Sequence, residues 1–269
     1  MPTAELEGVA LRYESAGSGE PVILIPGFVT SLRLFDRQVE AVSRDFRCLR
    51  YDLRGQGESS APESGYATAD HAQDLRLLIE HLNLPRAHLV GASLGGAVAV
   101  HLALEHPELV RSLTLAGAVV DGFPGWHDEY GVRLRNARRL ARSEGVEAAL
   151  ADWLTHPFFH ATRGLSEFAK TAVRTSGAAW LASGRGSQGQ PADFSRIDEI
   201  EKPTLVLVGE ADVEPCRKIA EALGARVRGA RLGVVKEAGH LPCWDRPEEF
   251  NRLLLDFLHS VGRPEPARP

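Results

Sequence analysis

Residues 90–97 read Val90-Gly91-Ala92-Ser93-Leu94-Gly95-Gly96-Ala97, crowding three glycines and a serine into eight positions. The apolar run AHLVGA (87–92) leads into them and an Ala/Leu/Val-rich stretch follows. A strand that reverses sharply into a helix forces the residue at the turn into a strained backbone, and only small neighbours avoid a clash. G-x-S-x-G over 91–95 therefore reads as a serine hydroxyl lifted above the carboxyl edge of a sheet. Backbone N–H groups at the following helix N-terminus can stabilise developing negative charge there. Taken alone, the same octapeptide also suits a glycine-rich turn with an ordinary N-cap serine, so the rest of the chain must decide.

Working outward, apolar runs bounded by turn residues recur at VILI (22–25), CLRYDL (48–53), AHLVGA (87–92), SLTLAGAVV (112–120), PTLVLVG (203–209) and LGVVKEAG (232–239). Helical patterns lie between them, at 30–43, 69–83, 94–105, 214–223 and 247–260. That alternation predicts a mostly parallel sheet covered by helices, an α/β fold. Upstream, ELEGVALRYESAGSGEP (5–21) predicts an antiparallel strand pair. From 121 to 200 helical patterns such as GVRLRNARRLARS and GVEAALADWL follow one another with no strand between them. We read a core domain of 1–120 and 201–262, a helical cap of 121–200, and a flexible Pro-rich tail over 263–269.

A serine hydroxyl needs a base to take its proton. His240, in KEAGHLPCWDRP, follows the last strand after a glycine and so projects from the same sheet edge as Ser93. Histidines 71, 81, 101, 106 and 259 fall in or beside helices and His88 opens a strand at its far end, so these read as surface or core residues; His156 and His160 belong to the cap, where they could face the pocket but are read as structural. The base in turn needs an acid to orient it. Asp212, just past the strand in LVLVGEADVEP, gives the chain order serine, acid, histidine. Glu210 and Asp121 are its rivals. The loop after VILI, Pro26-Gly27-Phe28-Val29-Thr30, stands where oxyanion donors are needed, and the N–H groups of Phe28 and Leu94 are the proposed pair.

With these segments assembled, the sequence strongly resembles the α/β-hydrolase superfamily over nearly its whole length outside the cap. YDLRGQGESS (51–60) is similar to the family's D-x-R-G-x-G-x-S loop, GASLGG to its nucleophile elbow, GEAD to its acid loop and GHLPCWDRP to its histidine loop. The resemblance implies an eight-stranded sheet, a cap inserted after strand six, and the triad Ser93, Asp212 and His240. Many relatives carry His-Gly where this chain has Pro26-Gly27, so a side chain that braces the oxyanion loop is expected to be missing. Within the serine-nucleophile branch, IPGFVTS and YDLRGQGES most resemble small carboxylesterases and 3-oxoadipate enol-lactonases. That implies hydrolysis of an ester or lactone through an acyl-enzyme on Ser93. Carbon-carbon bond hydrolases and cofactor-free perhydrolases use a similar triad, and a non-catalytic binding protein on the same fold is the reading from another class.

Composition narrows the partners. The 269 residues carry a net charge of −5, which gives no general attraction for nucleic acid or anionic lipid. No apolar run approaches the ~20 residues of a membrane span, and the N-terminus lacks a signal-peptide pattern, so a cytoplasmic protein acting on a small molecule is expected. Cys48, Cys216 and Cys243 show no CxxC spacing, so neither a disulfide framework nor a metal site is predicted, and the chemistry calls for no cofactor. Nothing in the sequence sets the oligomeric state, monomer or homodimer. In the cap, Arg135, Arg138, Arg139 and Arg142 share one helical face; pointed inward it would suit a carboxylate-bearing lactone, but it is read as facing solvent because Leu134, Ala137 and Ala141 occupy another. Trp126, Trp153, Phe158, Phe159 and Trp180 are candidates for the wall of an acyl pocket, or equally for the cap's own core.

Overall fold

A computed structural model describes residues 2–124, 129–162, 164 and 192–261. Eight strands form one sheet in the order β1-β2-β4-β3-β5-β6-β7-β8. Strands β1 (Thr3–Leu6) and β2 (Val9–Ala16) are antiparallel to each other, and β2 is antiparallel to β4 (Arg47–Tyr51). From β4 through β3 (Pro21–Ile25), β5 (Ala87–Ala92), β6 (Val110–Ala116), β7 (Thr204–Gly209) and β8 (Arg231–Val235) every pairing is parallel.

Parallel strands need crossovers, and the helices that make them cover both faces of the sheet. Strands β3, β5 and β7 are accordingly buried at every position. The two-residue period of β3 sends Ile23 and Ile25 to one apolar layer and Val22 and Leu24 to the other. The first layer is built with α2 (Thr68–His81) and α3 (Leu94–Glu105); the second with α1 (Asp36–Ser43) and the helix Pro247–Ser260. Each fully buried Leu or Ile contributes about 1.5–3 kcal/mol. Edge strand β8 departs from this pattern, with Leu232 and Val234 exposed.

Several predicted boundaries shift for identifiable reasons. The run 112–120 ends as a strand at Ala116, because Gly117 turns with φ +51° and packs its Cα against the His240 carbonyl. The run 48–53 ends at Tyr51, where Asp52 begins a loop. The helix over 30–43 is a 3-10 turn at Leu32–Phe35, capped by the Ser31 hydroxyl, followed by α1. Between β6 and β7 the chain forms α4 (Glu129–Ser143) and α5 (Val146–Trp153). Ala137 and Ala141 of α4, Ala149 and Trp153 of α5, and Phe158 and Phe159 beyond it join the second apolar layer. The tail 263–269, with Trp126 and Trp180, lies outside the described residues.

Candidate active site

The turn from β5 into α3 is built around Ser93. Its backbone sits at φ 52°, ψ −116°, a conformation unusual for a residue with a Cβ and typical of functional turns. The flanking glycines are required by space. A Cβ on Gly91 would lie 2.2 Å from the Gly95 carbonyl oxygen, one on Gly95 would lie 2.1 Å from the Ile25 carbonyl oxygen, and one on Gly96 would lie 2.4 Å from the Ala118 Cβ. The serine is pinned to the sheet by its own N–H, which donates to the Ala116 carbonyl at 3.0 Å.

Two loops at the same sheet edge bring up the histidine and the acid. After β7, the N–H of Ala211 donates to the Ala238 carbonyl at 2.9 Å, tying the acid loop to the histidine loop. The histidine loop is held by Asp245, which accepts from the Gly239 N–H at 2.8 Å. His240 Nε2 lies 2.9 Å from Ser93 Oγ, and His240 Nδ1 lies 3.0 and 3.2 Å from the two Asp212 oxygens. With the ring proton on Nδ1, the imidazole donates to Asp212 and leaves Nε2 to accept from the serine hydroxyl. Asp212 also accepts from the Val213 N–H at 2.7 Å, and both Asp212 and His240 are buried. Of the rival acids, Glu210 caps the histidine loop by accepting from the Glu237 N–H at 3.2 Å. Asp121 reaches the cavity wall, with its main-chain carbonyl accepting from Phe194.

Ser93 opens into a cavity of about 190 Å³. Phe28 and Leu94 line it together with the serine, and Trp153, Phe158 and Phe159 line it from the segment after β6. These three aromatic residues form both a cavity wall and a packed core, since Trp153 meets Phe28 edge-on with ring centres 6.0 Å apart. Phe158 stacks on the His240 ring at 4.1 Å, and His156 stacks on Phe158 at 4.2 Å. Burial, with Arg133, His240 and His160 nearby, lowers the His156 pKa to about 3. The loop after β3 carries a brace of its own: the Thr30 hydroxyl donates to the Gly27 carbonyl at 2.8 Å.

Sequence reasoning missed the opposite wall. Arg54, Gln56, Tyr66, Thr68 and His71 line the cavity there. The signal was available in YDLRGQGESS, which leaves β4 at the same sheet edge. Asp52 shapes that loop, accepting from the N–H groups of Leu32 at 2.7 Å and Glu58 at 2.8 Å. Gly57 is obligatory beside it, at φ +54° with its Cα packed on the Asp52 carboxylate. His71, read from sequence as a structural helix residue, is buried with Nδ1 facing no partner, and burial with the Arg54 charge lowers its pKa to about 3. The arginine face of α4 divides: Arg135, Arg139 and Arg142 are exposed as predicted, while Arg138 turns into the cavity.

Asp212, Cys216 and His240 bring ligand atoms within 4.8 Å of one another. Burial and the Asp212 charge push the Cys216 thiol well up. The acid and imidazole are already engaged with each other. No described helix is long and apolar enough to cross a membrane.

Comparison with known proteins agrees with this architecture. The chain is 30% identical over 266 residues to a Bacillus subtilis protein named for 2-succinyl-6-hydroxy-2,4-cyclohexadiene-1-carboxylate synthesis, covering 94% of this chain and 95% of that one. It is 31% identical over 265 residues to a Variovorax paradoxus protein named for carbamate hydrolysis, covering 94% and 98%. Among solved structures, the enol-lactonase of Burkholderia xenovorans superposes with a TM-score of 0.82 at 26% identity, over 96% of this chain and all of that one. The sequence profile of the alpha/beta hydrolase fold matches residues 20–247, and with its eight-stranded sheet and serine-bearing elbow the chain belongs to the α/β-hydrolase family of enzymes.

Proposed function

We propose that the protein is a serine hydrolase that cleaves a carboxylic ester or lactone of a small molecule through an acyl-enzyme on Ser93. The unbroken hydrogen-bonded chain from Ser93 Oγ through His240 to Asp212, opening on a cavity, carries this reading. His240 takes the serine proton as Oγ attacks the carbonyl, and Asp212 stabilises the imidazolium that forms. The N–H groups of Phe28 and Leu94 hold the oxyanion. His240 then returns the proton to the leaving alkoxide, and in the second half it activates the water that releases the acid. For a lactone the leaving alkoxide stays attached to the acyl group. Neither half requires a cofactor.

Residues 1–120 and 201–262 act as the catalytic core and 121–200 as a cap whose Trp153, Phe158 and Phe159 shape the acyl pocket. A cytoplasmic setting, where Cys48, Cys216 and Cys243 stay reduced, fits this chemistry. A second reading rests on the relative named for carbamate hydrolysis: a carbamate presents the same carbonyl to the same nucleophile. Carbon-carbon bond hydrolysis and perhydrolysis would call on the same three residues.

A fluorophosphonate probe followed by intact-mass spectrometry tests the nucleophile, alongside hydrolysis of p-nitrophenyl acetate, butyrate and octanoate. One adduct is expected, located on Ser93 and absent from Ser93→Ala, together with ester turnover that vanishes in that variant. Turnover undiminished in Ser93→Ala would overturn the assignment.

A further inference from the structure

Two guanidinium groups line the cavity beside Ser93, and they differ in what faces them. Arg54 is neutralised. Its Nε and Nη2 donate to the two Asp74 oxygens at 2.6 and 2.5 Å, and its Nη1 donates to the Gly65 carbonyl at 2.7 Å. Arg138 has no hydrogen-bond or ion-pair partner among the described residues, and its Nε is buried without an acceptor. The charge beside it is the like charge of Arg142, which together with burial holds the guanidinium below its usual pKa. Asp121, a carboxylate in the same wall, adds to the charges that raise the His101 pKa.

A cation taken out of water and left uncompensated destabilises the fold unless an anion completes it. Its neighbours on α4 explain why it is there: Ala137 and Ala141 are buried, which rotates position 138 toward the cavity while Arg135, Arg139 and Arg142 stay in solvent. The planar guanidinium matches a carboxylate in two parallel hydrogen bonds. Phe28, Leu94, Val119, Trp153, Phe158 and Leu241 give the cavity an apolar wall in which the guanidinium stands out. A cavity of about 190 Å³ suits a compact acyl group.

We infer that Arg138 binds a carboxylate on the acyl part of the substrate, which makes the substrate a half-ester of a short dicarboxylic acid. This rests on the acyl-transfer role of Ser93. Arg138 is a specificity residue: it takes no part in bond making and sets which acyl group reaches the serine.

The test compares monomethyl glutarate, an anion at pH 7, with methyl 5-methylhexanoate, its neutral counterpart with an isopropyl group in place of the carboxylate, by pH-stat titration. The ratio of the two kcat/KM values is expected to favour the anion in the wild type. It should fall tenfold or more in Arg138→Met, mainly through KM, and recover in part in Arg138→Lys. An unchanged ratio, or an equal loss on both esters, overturns the inference. Calorimetric titration of monomethyl glutarate into Ser93→Ala and into Ser93→Ala/Arg138→Met reads the same contact without turnover. Binding at least tenfold weaker in the double variant is expected, and equal affinity or no binding to Ser93→Ala overturns it. A wild type that hydrolyses neither ester yet binds the anion through Arg138 would remove the acyl-transfer reading and leave the carboxylate site standing.

Discussion

Asp212 shows how much one side chain can decide. It accepts from His240 Nδ1 and from the Val213 N–H, so it fixes both the tautomer of the imidazole and the start of the following helix. Asn at this position keeps the size and one acceptor but loses the charge that supports the imidazolium. Asp212→Asn is expected to lower kcat on a cleaved ester by about 10³–10⁴-fold while circular dichroism reports an unchanged fold; a comparable loss in Asp121→Asn with Asp212→Asn active would identify Asp121 as the acid. That Ser93, Asp212 and His240 meet was legible because each follows a strand and strands of a parallel sheet end at one edge. Arg138 was not legible, since four arginines on one helical face carry no mark of which one turns toward the cavity. Phe158 against His240 was equally hidden, because a ring stack across 82 residues of chain leaves no local pattern.

At the scale of the element, the turn from β5 to α3 tolerates almost nothing at its glycines. A methyl group on Gly95 would meet the Ile25 and Pro26 carbonyl oxygens at 2.1 and 2.7 Å, and backbone of the central strand β3 cannot retreat. Gly95→Ala is therefore expected to cost about 3 kcal/mol or more, lowering Tm by about 6–12 °C, and to misplace the serine. Gly224→Ala is the control: it lies inside the helix Glu214–Arg226, and its nearest neighbour is the Leu232 side chain at 3.1 Å, on the exposed edge. Scanning calorimetry of the two variants should separate them, and similar Tm values would show that the turn can relax. The strands β3, β5 and β7 and the helix 247–260 were readable from apolar runs and caps. The ends of β4 and β6 were not, because the apolar pattern continues past the point where Asp52 and Gly117 turn the chain toward the site.

For the molecule as a whole, buried neutral histidines set the response to acid. His71 and His156 both have folded pKa values near 3, and His88 is lowered as well, so the unfolded chain binds protons that the native one refuses. The stability these groups support is full above pH 6.5 and is lost as pH falls toward their folded values, by up to about 2 kcal/mol each at pH 5 for His71 and His156. His101, raised by Asp193, works in the opposite direction. Three lowered groups outweigh one raised, so Tm is expected to drop between pH 7 and pH 5, before most carboxylates titrate. The slope should flatten in His71→Gln/His156→Gln, and a wild-type Tm level across that range would contradict the balance. The cysteines have a different consequence. Cys48, Cys216 and Cys243 are the chain's only thiols, all lie inside the fold, and burial holds each one protonated, Cys48 to about pH 12. Oxidants and alkylating agents thus meet a surface with no sulfhydryl to attack, and the Cys216 thiol beside the acid and the histidine becomes reachable only when the elements around the site come apart.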